Sequence, residues 1–317
     1  MLGRSGIRFP MQSPPPPTDE IPFDRSISAK PGEVQTVSRL VRRLIANNGG
    51  PFTFTGTCTY VIGHGDVVVV DPGPADAHHI RALQAAIAGE TLHHILVTHT
   101  HRDHSPGAEI LKAATGAPIV GCAPRQPATD PYAQATLDAA FDRSYRPDVV
   151  LADGETISGK DFRITAVATP GHTSNHLAFA LEEDAALFSG DHVMAWSTTV
   201  VVPPEGSMRD YMASLRKLIG RSESIYWPGH GGPVRNPQSF VNALIVHRQW
   251  REAAILRCLA GGDATVPTIV GRIYRKLAPA LKGAAGQSVL AHLIDLAERG
   301  RVLADTTPSL KARYWLP

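Results

Sequence analysis

The stretch Ile95-Leu96-Val97-Thr98-His99-Thr100-His101-Arg102-Asp103-His104 constrains this chain more than any other. Three imidazoles and a carboxylate fall within six residues, directly after a short apolar run that reads as a buried strand. A strand turns alternate side chains to one face, so His99 and His101 converge if the extended backbone continues to them. Asp103 and His104 then sit where the chain turns into a helix. Imidazole with carboxylate is a borderline-hard donor set, suited to zinc, iron or manganese. A solvated His-rich loop would explain a lone histidine, but it explains this HxHxDH spacing poorly.

Three later segments repeat the device. They are Thr169-Pro170-Gly171-His172-Thr173, Phe188-Ser189-Gly190-Asp191 and Trp227-Pro228-Gly229-His230-Gly231. Each places one ligand-type side chain just after a glycine, at the end of a strand-like run. Glycine lets the backbone turn tightly and come close to a metal. Among the other histidines, His78, His79, His93 and His94 read as surface residues, and His192 is ambiguous. His176 reads as a hydrogen-bond partner of a ligand rather than a ligand. No Ser-His-Asp or Cys-His signature stands out as a protein nucleophile.

The surrounding chain alternates strand-like and helical patterns, which suggests sheets covered by helices. A helix is expected over 34–46 from the spacing of Val37, Leu40, Val41, Leu44 and Ile45. Thr57–Ile62 and Val67–Val70 read as a hairpin, and Ala75–Ile87 as a helix. Residues 1–30, with Pro14 to Pro17, read as a Pro-rich leader without a packed core. Residues 31–237 form the expected catalytic body. Residues 238–317 read as a long helix (Ser239–Leu259), helices Val266–Leu277 and Gln287–Glu298, and a strand-like wing from Arg301, the outline of a winged helix. Residues 122–147, with Tyr132, Phe141 and Tyr145, either wall a pocket or lie on the surface.

An apolar share of 43% and a charged share of 19% are ordinary for a soluble globular chain. No apolar run approaches the ~18 residues of a membrane span, and no secretory signal is evident. Three widely spaced cysteines, Cys58, Cys122 and Cys258, fit thiols in a reducing cytoplasm. Net charge is +2 overall, but residues 241–317 hold 11 Lys+Arg against 5 Asp+Glu. That surplus suits a phosphate-rich partner or an ordinary solvated surface.

These motifs together resemble the metallo-β-lactamase superfamily. The resemblance implies an α/β (α+β) fold, an αββα sandwich with the metals at one edge of the sheets. It implies one metal on His99, His101 and His172, a second on Asp103, His104 and His230, and Asp191 bridging them. Two Zn2+ are expected, with Mn2+ or Fe2+ as alternatives. Two cations ~3.5–4 Å apart share a water and lower its pKa, so a bridging hydroxide becomes the nucleophile. Asp103 and Asp191 would offset the metal charge and orient that water, which makes them the expected catalytic carboxylates. Asp71, ending a strand nearby, would be a buried orienting residue or only a turn cap.

His247-Arg248-Gln249-Trp250-Arg251-Glu252, Pro204-Glu205-Gly206 with Tyr211, and Ala291-His292-Leu293 to Gly300-Arg301-Val302 resemble the β-lactamase-like-2 subfamily. That subfamily implies cleavage of single-stranded RNA. The alternative is a thioesterase or lactonase of the glyoxalase II type, with weak β-lactamase side activity. A third reading is a winged-helix nucleic-acid-binding regulator with a structural metal. The expected partners are a small ester or thioester, or single-stranded RNA, with no membrane and an oligomer formed through the C-terminal domain. Seven donors for two metals leave room for water and substrate, which favours an enzyme.

Overall fold

The structure is a computed structural model that describes residues 21–27, 29–126, 140–274 and 279–317. Its body holds two sheets. The first runs β1 (Gln35–Thr36), β2 (Val41–Ile45), β3 (Cys58–His64), β4 (Asp66–Val70), β5 (Thr91–Val97), β6 (Ile119–Gly121) and β7 (Val149–Val150), adjacent in that order. The second contains β8 (Thr156–Ser158), β9 (Arg163–Ala168), β10 (Leu177–Leu181), β11 (Ala186–Gly190) and β12 (Ile225–Pro228), ordered β12-β11-β10-β9-β8. β4 and β5 run parallel, as do β11 and β12, so within each of these pairs both strands end at the same edge.

Period-two alternation explains the layering. On β10, Leu177, Phe179 and Leu181 join the core shared with Tyr60, Val69 and Leu96 of the first sheet, while Ala178 and Ala180 face the other way. Helices α1 (Ala77–Ala86) and α2 (Gly107–Thr115) add Leu83 and Leu111 to the first core. Helix α3 (Met208–Leu218) lays Met208, Tyr211, Leu215 and Leu218 on the outer face of the second sheet. The result is the expected order of helix, sheet, sheet, helix.

Caps place these helices where their sequence signals suggest. Asp76 accepts from the His79 amide at the start of α1, and Gly116 ends α2 in the left-handed region at φ 77°.

The helix expected over 34–46 is not there. Those residues form β1 and β2 instead. Val41, Leu44 and Ile45 are buried, and β2 pairs residue by residue with β3, from Val41 opposite Ile62 to Ile45 opposite Cys58. Both arginines of the strand find partners for their terminal nitrogens, while the buried Nε of each has none. Arg42 bonds the Ala86 carbonyl and Glu90, and Arg43 bonds Gln35 and the Gly231 carbonyl. Tertiary pairing outweighed a pattern compatible with either element.

Packing also begins inside the segment expected to be a leader. Ile21 is buried, Phe23 meets Phe240 edge-on at 6.2 Å, and the Asp24 amide donates to the Ala195 carbonyl. Pro14 to Pro17 lie outside the described residues.

The C-terminal unit comprises α4 (Pro237–Ala260), α5 (Val266–Ile273), α6 (Lys282–Glu298) and a small sheet of β13 (Ala264–Thr265), β14 (Leu303–Ala304) and β15 (Arg313–Trp315), ordered β13-β15-β14. α5 ends earlier than expected and α6 starts earlier. The unit has its own core of Ile255, Leu259, Ile269, Leu293, Leu296 and Tyr314. Helix α4 belongs to both units, because its Phe240, Val241 and Leu244 sit in the outer core of the body. Among the described residues, no helix is long and apolar enough to cross a membrane.

Candidate metal centre

Each ligand-type side chain named from the sequence follows a strand. His99 comes just after β5, His172 after β9, Asp191 directly after β11 and His230 after β12. The structure brings all of them together with His101, Asp103 and His104. They fall into two groups. In one, His101 Nδ1 lies 2.9 Å from His99 Nε2 and 3.1 Å from His172 Nε2. In the other, His230 Nε2 lies 3.3 Å from His104 Nε2 and 3.2 Å from Asp103 Oδ2. Asp191 stands between them. Its Oδ2 is 3.5 Å from His172 Nε2 and 4.0 Å from His99 Nε2, and its Oδ1 is 3.6 Å from His104 and 3.4 Å from His230.

This donor geometry fits metal ions. Ring nitrogens that point lone pairs at one another at such distances need a cation or a proton between them. Donors held about 2.0–2.1 Å from a tetrahedral zinc lie about 3.3 Å apart, close to the separations found here. Asp191 Oδ1 is buried and has no hydrogen-bond partner. An orphan carboxylate oxygen of this kind is costly unless something positive meets it.

The groups behind the donors fix their tautomers. His104 Nδ1 donates to Asp71 Oδ2 over 2.8 Å. Asp71 also accepts from the Thr98 amide and hydroxyl, and that hydroxyl in turn receives His99 Nδ1–H at 3.0 Å. His172 Nδ1 donates to the Val200 carbonyl at 2.7 Å, and His230 Nδ1 to the Gly56 carbonyl at 3.3 Å. Each distal nitrogen is thereby left to face the centre. Thr57 Oγ1 donates to Asp103 Oδ2. His176 Nε2 accepts from the Asp191 amide, so it positions a donor, as its spacing suggested.

The electrostatics of the two groups differ. Burial, reinforced by the neighbouring imidazoles, holds His99 well below the usual histidine range and pushes His101 down to about 3. His104 and His230 go the other way. Burial works against their charge, but Asp103 and Asp191 outweigh it, lifting His104 well above its ordinary value and His230 to about 10. A cation entering that second group therefore displaces protons.

Glycines give the centre its closeness. A Cβ on Gly229 would lie 2.5 Å from Asp191 Oδ1 and 2.7 Å from His104 Cε1. Gly171, at φ +137°, lies against the Tyr211 backbone.

His79, expected on the surface, is instead buried with Nε2 2.9 Å from Thr59 Oγ1. That threonine donates to the Asp71 carbonyl, so His79 braces the Asp71 turn. His192 is also buried, against the Tyr211 ring, with neither ring nitrogen bonded. Phe141 packs on the His101 ring at 4.4 Å, and Tyr132 lies outside the described residues. Sequence reasoning missed Thr57, Thr98 and the Val200 carbonyl. Only the position of Thr98 beside His99 offered a signal.

The sequence matches the family described as "Metallo-beta-lactamase superfamily" over residues 52–230, more than half of the chain, and "Beta-lactamase associated winged helix domain" over 265–313. The chain belongs to the metallo-β-lactamase superfamily. It is a hydrolase of that superfamily, with a His/Asp cluster able to bind metal. It is 30% identical to a Beta-lactamase-like protein 2 homolog of Caenorhabditis elegans, over 89% of this chain and 92% of that protein. It is 32% identical to the Atrochrysone carboxyl ACP thioesterase of Aspergillus fumigatus, over 80% of this chain and 79% of that one. The fold resembles the crystal structure of a Beta-lactamase domain protein from Burkholderia ambifaria, with a TM-score of 0.74 at 20% identity, covering 92% and 96% of the two chains.

Proposed function

We propose that the chain is a dinuclear hydrolase of carboxylic thioesters or esters. His99, His101 and His172 would hold one metal, Asp103, His104 and His230 the other, and Asp191 would bridge them. Two zinc ions suit the imidazole-rich donor set, with manganese or iron as alternatives. Such a pair supplies an acidified water and a Lewis acid for the carbonyl oxygen. The chain's own part is to orient these elements. Asp103, its side chain 27% exposed against 10% for Asp191, would orient the attacking water and take its proton. Asp191 fixes the spacing of the two halves.

One observation carries the substrate class. A cavity of about 330 Å³ is walled by Phe52, Met194, Trp196 and Leu281 and reaches Thr199, whose hydroxyl holds the Asp191 carbonyl. Its floor includes Val200, whose carbonyl holds His172. A cleft of this size with a partly apolar wall suits the acyl part of a small molecule better than a polynucleotide. The similarity to a protein named as an ACP thioesterase points the same way.

Single-stranded RNA is the second reading, favoured by the basic surplus after residue 240. Some of those basic residues are engaged internally. Arg248 is buried, Arg299 pairs with Glu252 and Asp295, and Arg313 pairs with Asp263. Helix α6 would be the reading helix of a winged module, but it packs on the body. Its Ala291 is buried in the outer core, and Arg209 of α3 pairs with its Asp295 and Glu298. The free cysteines, Cys58 and Cys122 among them buried, fit a cytoplasmic protein.

Metal analysis combined with an assay panel tests the reading. The panel would hold aryl and alkyl thioesters, a lactone, single-stranded RNA and a chromogenic β-lactam, with His101→Ala as control. Thioester turnover lost in that variant supports the proposal. RNA cleavage without thioester turnover overturns the substrate class.

A further inference from the structure

The boundary between the two units holds an accumulation of positive charge that nothing described so far explains. His247, Arg248 and Arg251 stand on successive turns of α4 and line the cavity, with Ser288 of α6 opposite. Arg248 is 3% exposed. Its guanidinium bonds the Thr199 carbonyl and Ser288 Oγ and lies over the Tyr211 ring, yet its Nε has no partner. Arg251 lies between the rings of Trp250 and Tyr274, at 4.8 and 4.3 Å, with His247 Nε2 its nearest polar contact at 3.4 Å. His247 Nδ1, Trp196 Nε1 and both ring nitrogens of the buried His292 are also unbonded.

Among the described residues no carboxylate faces this group. The acids on the two helices are engaged elsewhere, Glu252 and Asp295 by Arg299, and Glu298 by Arg209. Burial, together with the guanidinium groups of Arg248 and Arg251, pushes His247 and His292 down to about 3, so both rings are neutral. Guanidinium groups withdrawn from water without a counter-ion are costly, and a carboxylate or phosphate matches their fork. The rest of the wall is apolar: Phe23, Phe52, Met194, Tyr274 and Leu281.

We propose that this cavity is a recognition site for an anionic group carried on an apolar body, with Arg251 as its counter-ion. This inference rests on the thioesterase reading and deepens it. The anion would be either a carboxylate on the acyl part of the substrate or a phosphate on its thiol part. The cavity communicates with the centre through one segment. Thr199 accepts from Arg248 and donates its own hydroxyl to the Asp191 carbonyl, and its neighbour Val200 holds His172. Anchoring the anion at Arg251 would therefore bear on the segment that holds Asp191 and His172 and select against neutral substrates. Arg251 is a specificity residue here and takes no part in the bond-breaking step.

Direct binding tests this separately from turnover. The metal-loaded protein would be titrated calorimetrically with 2-naphthoate, 2-naphthyl phosphate and neutral 2-naphthamide. We expect one or both anions to bind at least tenfold more tightly than the amide, the tighter one identifying the natural anion. Arg251→Met should abolish the preference and Arg251→Lys should restore part of it, with thermal unfolding confirming that both variants fold. His101→Ala should keep the preference, since the anion sits away from the metals. Equal binding of the amide, a preference that survives Arg251→Met, or a preference lost only in His101→Ala would overturn the proposal. The thioesterase reading fails separately, by absence of turnover in the wild type.

Discussion

Replacing Asp71 by Asn separates an orienting role from a mere turn cap. Asp71 sits at φ 49°, a conformation Asn tolerates as well as Asp, so the backbone is not disturbed. Its carboxylate accepts from the Thr98 amide at 2.8 Å, the Thr98 hydroxyl at 2.7 Å and His104 Nδ1 at 2.8 Å. An amide can serve only part of this set. If its oxygen faces the Thr98 amide, its NH2 meets His104 Nδ1. That nitrogen must then accept, and the ring proton moves to Nε2, where the metal should bind. If the amide is flipped, the Thr98 amide faces a donor. Either orientation loses at least one charge-assisted hydrogen bond, about 1.5–3 kcal/mol. That corresponds to metal affinity weakened about 10- to 100-fold, concentrated in the group of Asp103, His104 and His230. Titrating the metal-free protein with zinc against a chelating chromophore would resolve the two binding steps that the proposed dinuclear site requires. We expect one step to weaken and the other to change little. Two wild-type binding steps, with only the stability of the metal-free protein lowered, would refute the reasoning and reduce Asp71 to a turn cap.

Three further outcomes follow from the packing. Gly229→Ala should cut turnover at least tenfold while the protein stays folded, because its Cβ would sit 2.5 Å from Asp191 Oδ1; wild-type kcat would contradict this. Gly171→Ala should instead destabilise the fold by about 3 kcal/mol, since a residue at φ +137° would place Cβ 2.3 Å from Tyr211 Cα; denaturant unfolding at fixed zinc measures it. His292, buried and pushed down to about 3 by burial and the nearby Arg248, contributes stability that is complete above its unfolded value of 6.5. That contribution is lost as pH falls from 6.5 towards 3. His292→Leu should therefore unfold less steeply across that window, and equal slopes would sink the assignment.

The legible parts of the site were those whose chemistry lies in the side chain itself. His99 to His104 and the glycine-preceded His172, Asp191 and His230 stand out because several ligand types share a strand-end position, and the fold brings them together. What was illegible depends on long-range partners. The spacing of Val37 to Ile45 fits a helix or a strand, and only pairing with β3 decides between them. His79 looks like a surface residue until Thr59 and the Asp71 turn close over it. The Val200 carbonyl that holds His172 carries no sequence signal, since any residue could supply it. The winged outline was readable from helix and turn patterns. Which face of α6 is covered was not, because that depends on where α3 lies.

The placement of α6 changes what the C-terminal unit can be for. A winged module that reads nucleic acid leaves its second helix free, whereas here that helix is fastened to the body by Ala291 and by Arg209. Helix α4 is continuous through both cores, so the unit is neither a tethered domain nor separable without opening the body's outer core at Phe240, Val241 and Leu244. From that helix Arg248 reaches Thr199, whose hydroxyl holds the Asp191 carbonyl. The segment that presents the central carboxylate and the His172 acceptor is therefore braced from the C-terminal side. The unit walls the cavity beside that segment, and changes along α4 at 247–251 should alter which substrate is accepted before they alter how metal is held.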